Sequence, residues 1–182
     1  SAIDYFTAAI KLNPNNASFR AGRGMAHAVA GHDGLAIDNF TQALLIESEN
    51  VAVLSARGFA HLAGDAYQLA IDDFTMAIDF GVDDPEVFYA RGKAYLALAG
   101  PGDPDQEGVK QALGDISEAI VRDPGESERY FTRGVIYSWE GYELDLAIED
   151  LSVAIDLKLK TNAKSYLVSM YHLRNMAYRT QS

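Results

Sequence analysis

The sequence predicts an all-α fold of stacked antiparallel helix pairs, and three observations carry that expectation. Ala2-Ile3-Asp4, Ala36-Ile37-Asp38 and Ala70-Ile71-Asp72 recur at 34-residue steps, followed by Ala112-Leu113-Gly114 after 42 and Ala147-Ile148-Glu149 after 35. A second string, Arg23-Gly24, Arg57-Gly58, Arg91-Gly92 and Arg133-Gly134, runs in phase at steps of 34, 34 and 42. Two strings that share one spacing and one eight-residue insertion mark an internal repeat. The third observation is apolar periodicity: Ala36, Ile37, Phe40, Ala43 and Leu44 fall on one helical face, and nothing in the chain reads as a strand.

Each unit divides into two helices, numbered here from position 1 at Val51. Ser1 falls at position 19, so residues 1–16 read as a second helix without its first, and the chain is expected to be a fragment of a longer repeat protein. Full units follow at 17–50, 51–84, 85–126 and 127–161. First helices are expected over Val51 to Ala63, Pro85 to Leu98 and Glu128 to Trp139; second helices over Ala36 to Leu44, Ala70 to Ile78 and Ala147 to Ile155. Pro14 and Pro124 fall just after second helices and Pro85 in a first turn, so none interrupts a helix. Residues 162–182 read as a terminal capping helix with Ser169 where the units keep glycine.

Composition narrows the function. The 182 residues include no cysteine, which removes disulfides, thiolate catalysis and cysteine-ligated metals. No apolar run approaches the roughly 18 residues of a membrane span, and Ser1 to Asp4 lacks signal-peptide features, so a cytosolic or already processed segment is expected. A net charge of −11 disfavours nucleic acid and anionic lipid as partners. That charge is uneven, because Lys158, Lys160, Lys164, Arg174 and Arg179 stand in a stretch from 158 onward that holds no acid. The basic end is expected to cap the array; the alternative is head-to-tail association with an acidic surface on another copy.

These units resemble tetratricopeptide repeats. The family keeps small residues at positions 8, 20 and 27, a large apolar residue at 24 and often proline at 32. Here Gly24, Gly58, Gly92 and Gly134 stand at 8, Ala36, Ala70, Ala112 and Ala147 at 20, Ala43, Ala77, Ala119 and Ala154 at 27, and Phe40, Phe74, Ile116 and Leu151 at 24. The resemblance implies a right-handed superhelical solenoid whose concave groove is lined by first-helix positions. Those positions hold Met25, Ala28 and Val29; Ser55, Phe59 and Leu62; Tyr89, Lys93 and Leu96; and Phe131, Val135 and Trp139, with Tyr166 and Met170 added by the last helix. Such an apolar, aromatic lining suits a peptide or helix. The Lys and Asn clamp with which the chaperone-binding subfamily grips acidic tails is absent, since Ala21, Met25, Ser55, Ala56, Phe59, Glu86 and Ala90 occupy that region.

His27 and His61 hold position 11, where Tyr95 and Tyr137 stand in later units; packing is expected of them rather than metal binding. The arginines at position 7 either read a ligand or pair with second-helix acids such as Asp38, Asp72, Asp73, Asp115, Glu149 and Asp150, and pairing is expected. Asp103, Asp105, Glu107 and Gly108 in the 100–108 insertion echo a calcium loop, but Gly114 stands where the closing glutamate belongs. No phosphate loop, serine elbow or His-Glu-x-x-His pair is present. The expected function is a non-catalytic protein-interaction scaffold with no cofactor and no metal. Its alternatives are a self-association module acting through its ends and convex face, or a regulatory domain of a larger enzyme.

Overall fold

The computed structural model describes residues 1–100, 106–139, 142–160 and 167–181, and among these every extended regular element is an α-helix. The helices are α1 (Ala2–Leu12), α2 (Ala17–Val29), α3 (Asp33–Leu44), α4 (Val51–Ala63), α5 (Tyr67–Asp79), α6 (Pro85–Ala99), α7 (Glu107–Arg122), α8 (Ser127–Tyr137), α9 (Leu144–Lys160) and α10 (Leu167–Gln181). They form two compact units, Ser1–Asp83 and Asp84–Ser182. In the first, α2 pairs with α3 and α4 with α5, while α1 lies on α2 and α3 on α4. In the second, α6 pairs with α7 and α8 with α9, while α7 lies on α8 and α10 on α9.

Local chemistry starts the helices where the repeat requires. Asn16 Oδ1 accepts from Phe19 N at 3.0 Å, Asn50 Oδ1 from Val53 N at 3.2 Å, and Asp84 Oδ1 from Glu86 N at 2.9 Å with Pro85 in the first turn. Each satisfies a donor that the helix itself leaves unpaired. Most of the insertion's loop, 101–105, lies outside the described residues, and so does the start of the calcium-loop echo. The flanking helices run to 15 residues for α6 and 16 for α7. Gly108 lets them meet, since a Cβ there would stand 3.2 Å from Ala99 Cβ.

Small residues and one large apolar residue build each pair. Ala36, Phe40 and Ala43 are buried, as are Ala70, Phe74 and Ala77, then Ala112, Ile116 and Ala119, then Ala147, Leu151 and Ala154. The position-8 glycines face the large residue directly. A Cβ on Gly24 or Gly58 would stand 2.7 Å from the ring of Phe40 or Phe74, but 3.1 Å from Ile116 Cγ1 at Gly92 and from Leu151 Cγ at Gly134. In α1 the counterparts are less covered: Ala2 is exposed and Phe6 half-buried.

The position-7 arginines pair with second-helix residues as expected, and within their own hairpins the partner stands at position 23. Arg57 Nε and Nη2 donate to Asp73 at 2.8 and 2.6 Å, Arg91 to Asp115 at 2.8 and 2.8 Å, and Arg133 to Asp150 at 2.7 and 2.9 Å. In the first pair Asn39 replaces the acid and accepts from Arg23 Nε at 2.7 Å. Position 22 carries the exposed Asp38, Asp72 and Glu149 instead. The Nη1 atoms reach the other way, to a hydroxyl on the preceding second helix: Thr7 for Arg23, Thr41 for Arg57 and Ser117 for Arg133. One guanidinium therefore ties a hairpin together and to the hairpin before it.

The histidines pack inside their own hairpins. His61 Nε2 lies 3.8 Å from Asp73, whereas His27 faces His32 with ring centroids 5.8 Å apart. Burial holds the His61 pKa below the ordinary histidine range; Asp73 pulls it up and Arg57 pushes it down. A lowered folded pKa means the unfolded chain binds more protons, so this contribution is present above the ordinary pKa and is lost as pH falls below it. The urea midpoint of the protein is expected to drop between about pH 7 and pH 5. His61→Tyr, which installs the residue Tyr95 and Tyr137 already provide, is expected to remove that share of the slope.

Candidate functional site

The second unit holds a cavity of about 310 Å³ where α8, α9 and α10 meet, lined by Glu128, Phe131, Thr132, Lys158 and Met170. Glu128, Phe131 and Thr132 sit at i, i+3 and i+4 of α8, so helical spacing puts them on one face. Lys158 comes from the last turn of α9 and Met170 from the first turn of α10. Beneath them Ala154, Ile155 and Met170 form a buried apolar cluster, with Met170 only 2% exposed, against which Tyr130, Phe131 and Leu167 pack. The arrangement gives an apolar floor, an aromatic wall and one charge of each sign. It can receive an apolar side chain and orient polar groups beside it.

Thr132 is held in place from two sides. Its hydroxyl donates to the Glu128 carbonyl at 2.9 Å, and Tyr89 on α6 brings its own hydroxyl within 2.8 Å of Thr132 Oγ1 and 3.2 Å of Glu128 Oε1. Burial raises the Tyr89 pKa well above the ordinary phenol range; the Thr132 hydrogen bond opposes this and the Glu128 and Glu86 charges add to it. Tyr89 therefore remains a neutral hydrogen-bond donor at any working pH. Nearby, the buried Arg129 ties α8 to the end of α7, donating through Nη1 to the Asp123 carbonyl at 2.8 Å and the Asp123 carboxylate at 2.9 Å. The Gly125 N–H and that guanidinium hold the Asp123 carboxyl below its usual range.

The residues expected in a groove are distributed unevenly. In the first unit Met25 is exposed on α2, Leu62 is half-buried, and the half-buried Phe59 packs edge-on against the core ring of Phe74 at 5.0 Å. In the second, Phe131 walls the cavity, with Val135 one turn further on, Leu96 half-buried on α6 and Trp139 half-buried in the turn after α8. Two expectations are corrected by packing. Tyr89 is buried between α6 and α8 with Lys93 Nζ 4.7 Å from its ring centroid, and Ser55 is buried with its hydroxyl on the Val51 carbonyl. Tyr166 lies outside the described residues. Glu128, Thr132 and Lys158 were not expected at the site; the first two share Phe131's helical face, the signal that identifies them.

Among the described residues no group of three or more His, Cys, Asp or Glu is placed to hold a metal ion, and no helix is long and apolar enough to cross a membrane. No protein-family model matches the chain, and no curated protein sequence does. Solved structures do match. A crystal structure of MamA superposes with a TM-score of 0.78 at 21% identity, covering 88% of this chain and 88% of that one. MamA from Desulfovibrio magneticus RS-1, residues 41 to its end, gives 0.77 at 18%, covering 87% and 84%. YrrB, described as a TPR protein with an unusual peptide-binding site, gives 0.73 at 18%, covering 97% and 93%. With its buried glycine and alanine registers and its helix pairs, the chain has the tetratricopeptide-repeat fold.

Proposed function

We propose that the protein is a non-catalytic interaction scaffold that binds an extended or helical peptide segment, with the cavity at Phe131 as the anchoring pocket. The observation that carries this reading is the pocket itself, walled by Phe131 and floored by Met170, which packs into the buried cluster with Ala154 and Ile155. Large apolar anchors seated in such pockets supply most of the energy of peptide capture. The likeness to YrrB, whose description names a peptide-binding site, supports the same class of partner. Leu96 and Val135 extend the apolar surface within the second unit, while Met25 and Leu62 offer a separate face on the first.

A random peptide library selected against the immobilised full chain tests this. Recovered peptides are expected to carry a large apolar residue and to lose about tenfold or more in affinity against Phe131→Asp. Tyr5→Ser, on the exposed side of α1, is expected to bind them unchanged. Equal affinity for wild type and Phe131→Asp, with the variant's helical circular dichroism intact, would defeat the proposal. Phe59→Asp is a poor substitute, because it buries a charge against Phe74.

A further inference from the structure

A second, smaller cleft of about 170 Å³ lies within the second unit, lined by α6, the turn after α7 and the first turn of α8. Glu128 lines both this cleft and the Phe131 cavity, so the two adjoin. The other units show what packing requires at its positions. The first helices α2, α4 and α6 are capped by Asn16, Asn50 and Asp84, each of which accepts a backbone N–H. At the same place α8 has Glu126, whose side chain makes no cap hydrogen bond and lines the cleft instead. Position 3 holds Phe19, Val53 and Val87 in the other units but Arg129 here. Arg129 also lines the cleft; it is 4% exposed, and its buried Nε has no hydrogen-bond partner among the described residues.

Both departures cost stability, because a cap is given up and a buried donor loses its hydration without gaining an acceptor. Sequences break local rules in this way where function requires it, and here the breaks converge on one cleft. Position 2 follows suit: Ser18 and Ala52 stand there in the first unit, Glu86 and Glu128 in the second. Charge decides what the cleft receives. Arg129 is already paired with Asp123 at 2.9 Å and meets Glu86 only at 3.5 Å. The rest of the charged lining is Glu86, Glu126 and Glu128 against Lys93, whose ammonium lies 4.7 Å from the Tyr89 ring centroid. The excess is negative, and so is the chain as a whole at −11.

We propose that this cleft takes an arginine or lysine side chain of the bound peptide, seated against Glu86 and Glu126 beside the apolar anchor in the Phe131 cavity. The inference rests on that cavity being the anchoring pocket. Size fits a single side chain, since the cleft is well below the about 300 Å³ at which pockets begin to hold whole small molecules. Spacing fits a short motif. Glu126 stands five residues before Phe131, about 7–8 Å along the helix axis. Alternate residues of an extended segment lie about 7 Å apart and point to the same side. The bound motif is therefore a basic residue two positions from a large apolar one.

The probes are N-acetyl-Arg-Ala-Phe-amide and its reverse, N-acetyl-Phe-Ala-Arg-amide, titrated by NMR to about 10 mM into the full 182-residue chain labelled with ¹⁵N and at the methionine methyls with ¹³C. The tighter of the two is expected to shift the Gly125 and Glu126 amides, which report on the cleft, and the Met170 methyl, which reports on the cavity. Replacing its arginine is expected to weaken binding about fivefold with norleucine and about tenfold with glutamate. Glu86→Gln with Glu126→Gln in the protein is expected to erase that preference, and both side chains are exposed, so the fold is retained. Cleft amides that stay in place, or arginine and glutamate peptides that bind alike, would overturn the proposal, and a Met170 shift in that case leaves the cavity reading standing. A tighter glutamate peptide would overturn it in favour of Lys93 as an anion-binding group. Cleft amides that follow the arginine while Met170 stays unperturbed would support the cation site and defeat the cavity reading instead.

Discussion

Arg57→Met is expected to lower unfolding stability by about 3–5 kcal/mol, because it strands a buried carboxylate. The Asp73 side chain is 5% exposed and takes two hydrogen bonds from Arg57, which also reaches Thr41 on the preceding helix. Removing both charges, as Arg57→Met with Asp73→Leu, is expected to cost far less than the single change, since desolvation offsets most of an ion pair's attraction. Asp73→Asn is expected to be mild, because Asn39 already serves the first hairpin as a neutral acceptor. Urea titration at pH 7 checks all three. His61 adds a signature: with Arg57 gone, the cation that pushed its pKa down is absent and Asp73 remains 3.8 Å away. Part of the loss in Arg57→Met is therefore expected to be recovered as the pH falls and His61 charges.

Phe74→Ala carries a comparable expected cost of about 3–5 kcal/mol, the range for emptying a fully buried aromatic site. The graded test lies opposite it. In an ordinary helix Gly→Ala gains about 1 kcal/mol, but a Cβ at Gly58 would stand 2.7 Å from a buried ring that has nowhere to go. Gly58→Ala is expected to destabilise by about 1–3 kcal/mol, and Phe74→Leu in the same chain to recover part of that. Gly92→Ala faces Ile116 Cγ1 at 3.1 Å and is expected to be near neutral. Equal effects at Gly58 and Gly92, measured by urea unfolding, would mean that the glycine register is not set by the residue it faces.

Much of this architecture was legible because packing demands repeat with the period. Ala70, Phe74 and Gly58 are identifiable from spacing alone, since each has the same neighbours in every hairpin. The ladder was half legible: arginine-to-acid pairing follows from sequence, but choosing Asp73 over Asp72 needs the helix rotation, and the hydroxyls at Thr41 and Ser117 have no composition signal. Tyr89 shows the limit of a groove read from register. Its register places it among the groove positions, yet Glu128 and Thr132 of α8 cover it.

The chain's four methionines allow the central claim to be tested in one spectrum. Met170 floors the Phe131 cavity, Met25 and Met76 are exposed on the first unit, and Met176 reports on α10. In protein labelled with ¹³C at the methionine methyls, a peptide recovered from the library selection is expected to shift Met170 and leave Met25 and Met76 in place, with the Met170 shift lost in Phe131→Asp. A bound peptide that moves Met25 or Met76 while Met170 stays unperturbed would contradict the assignment of the binding site to the Phe131 cavity.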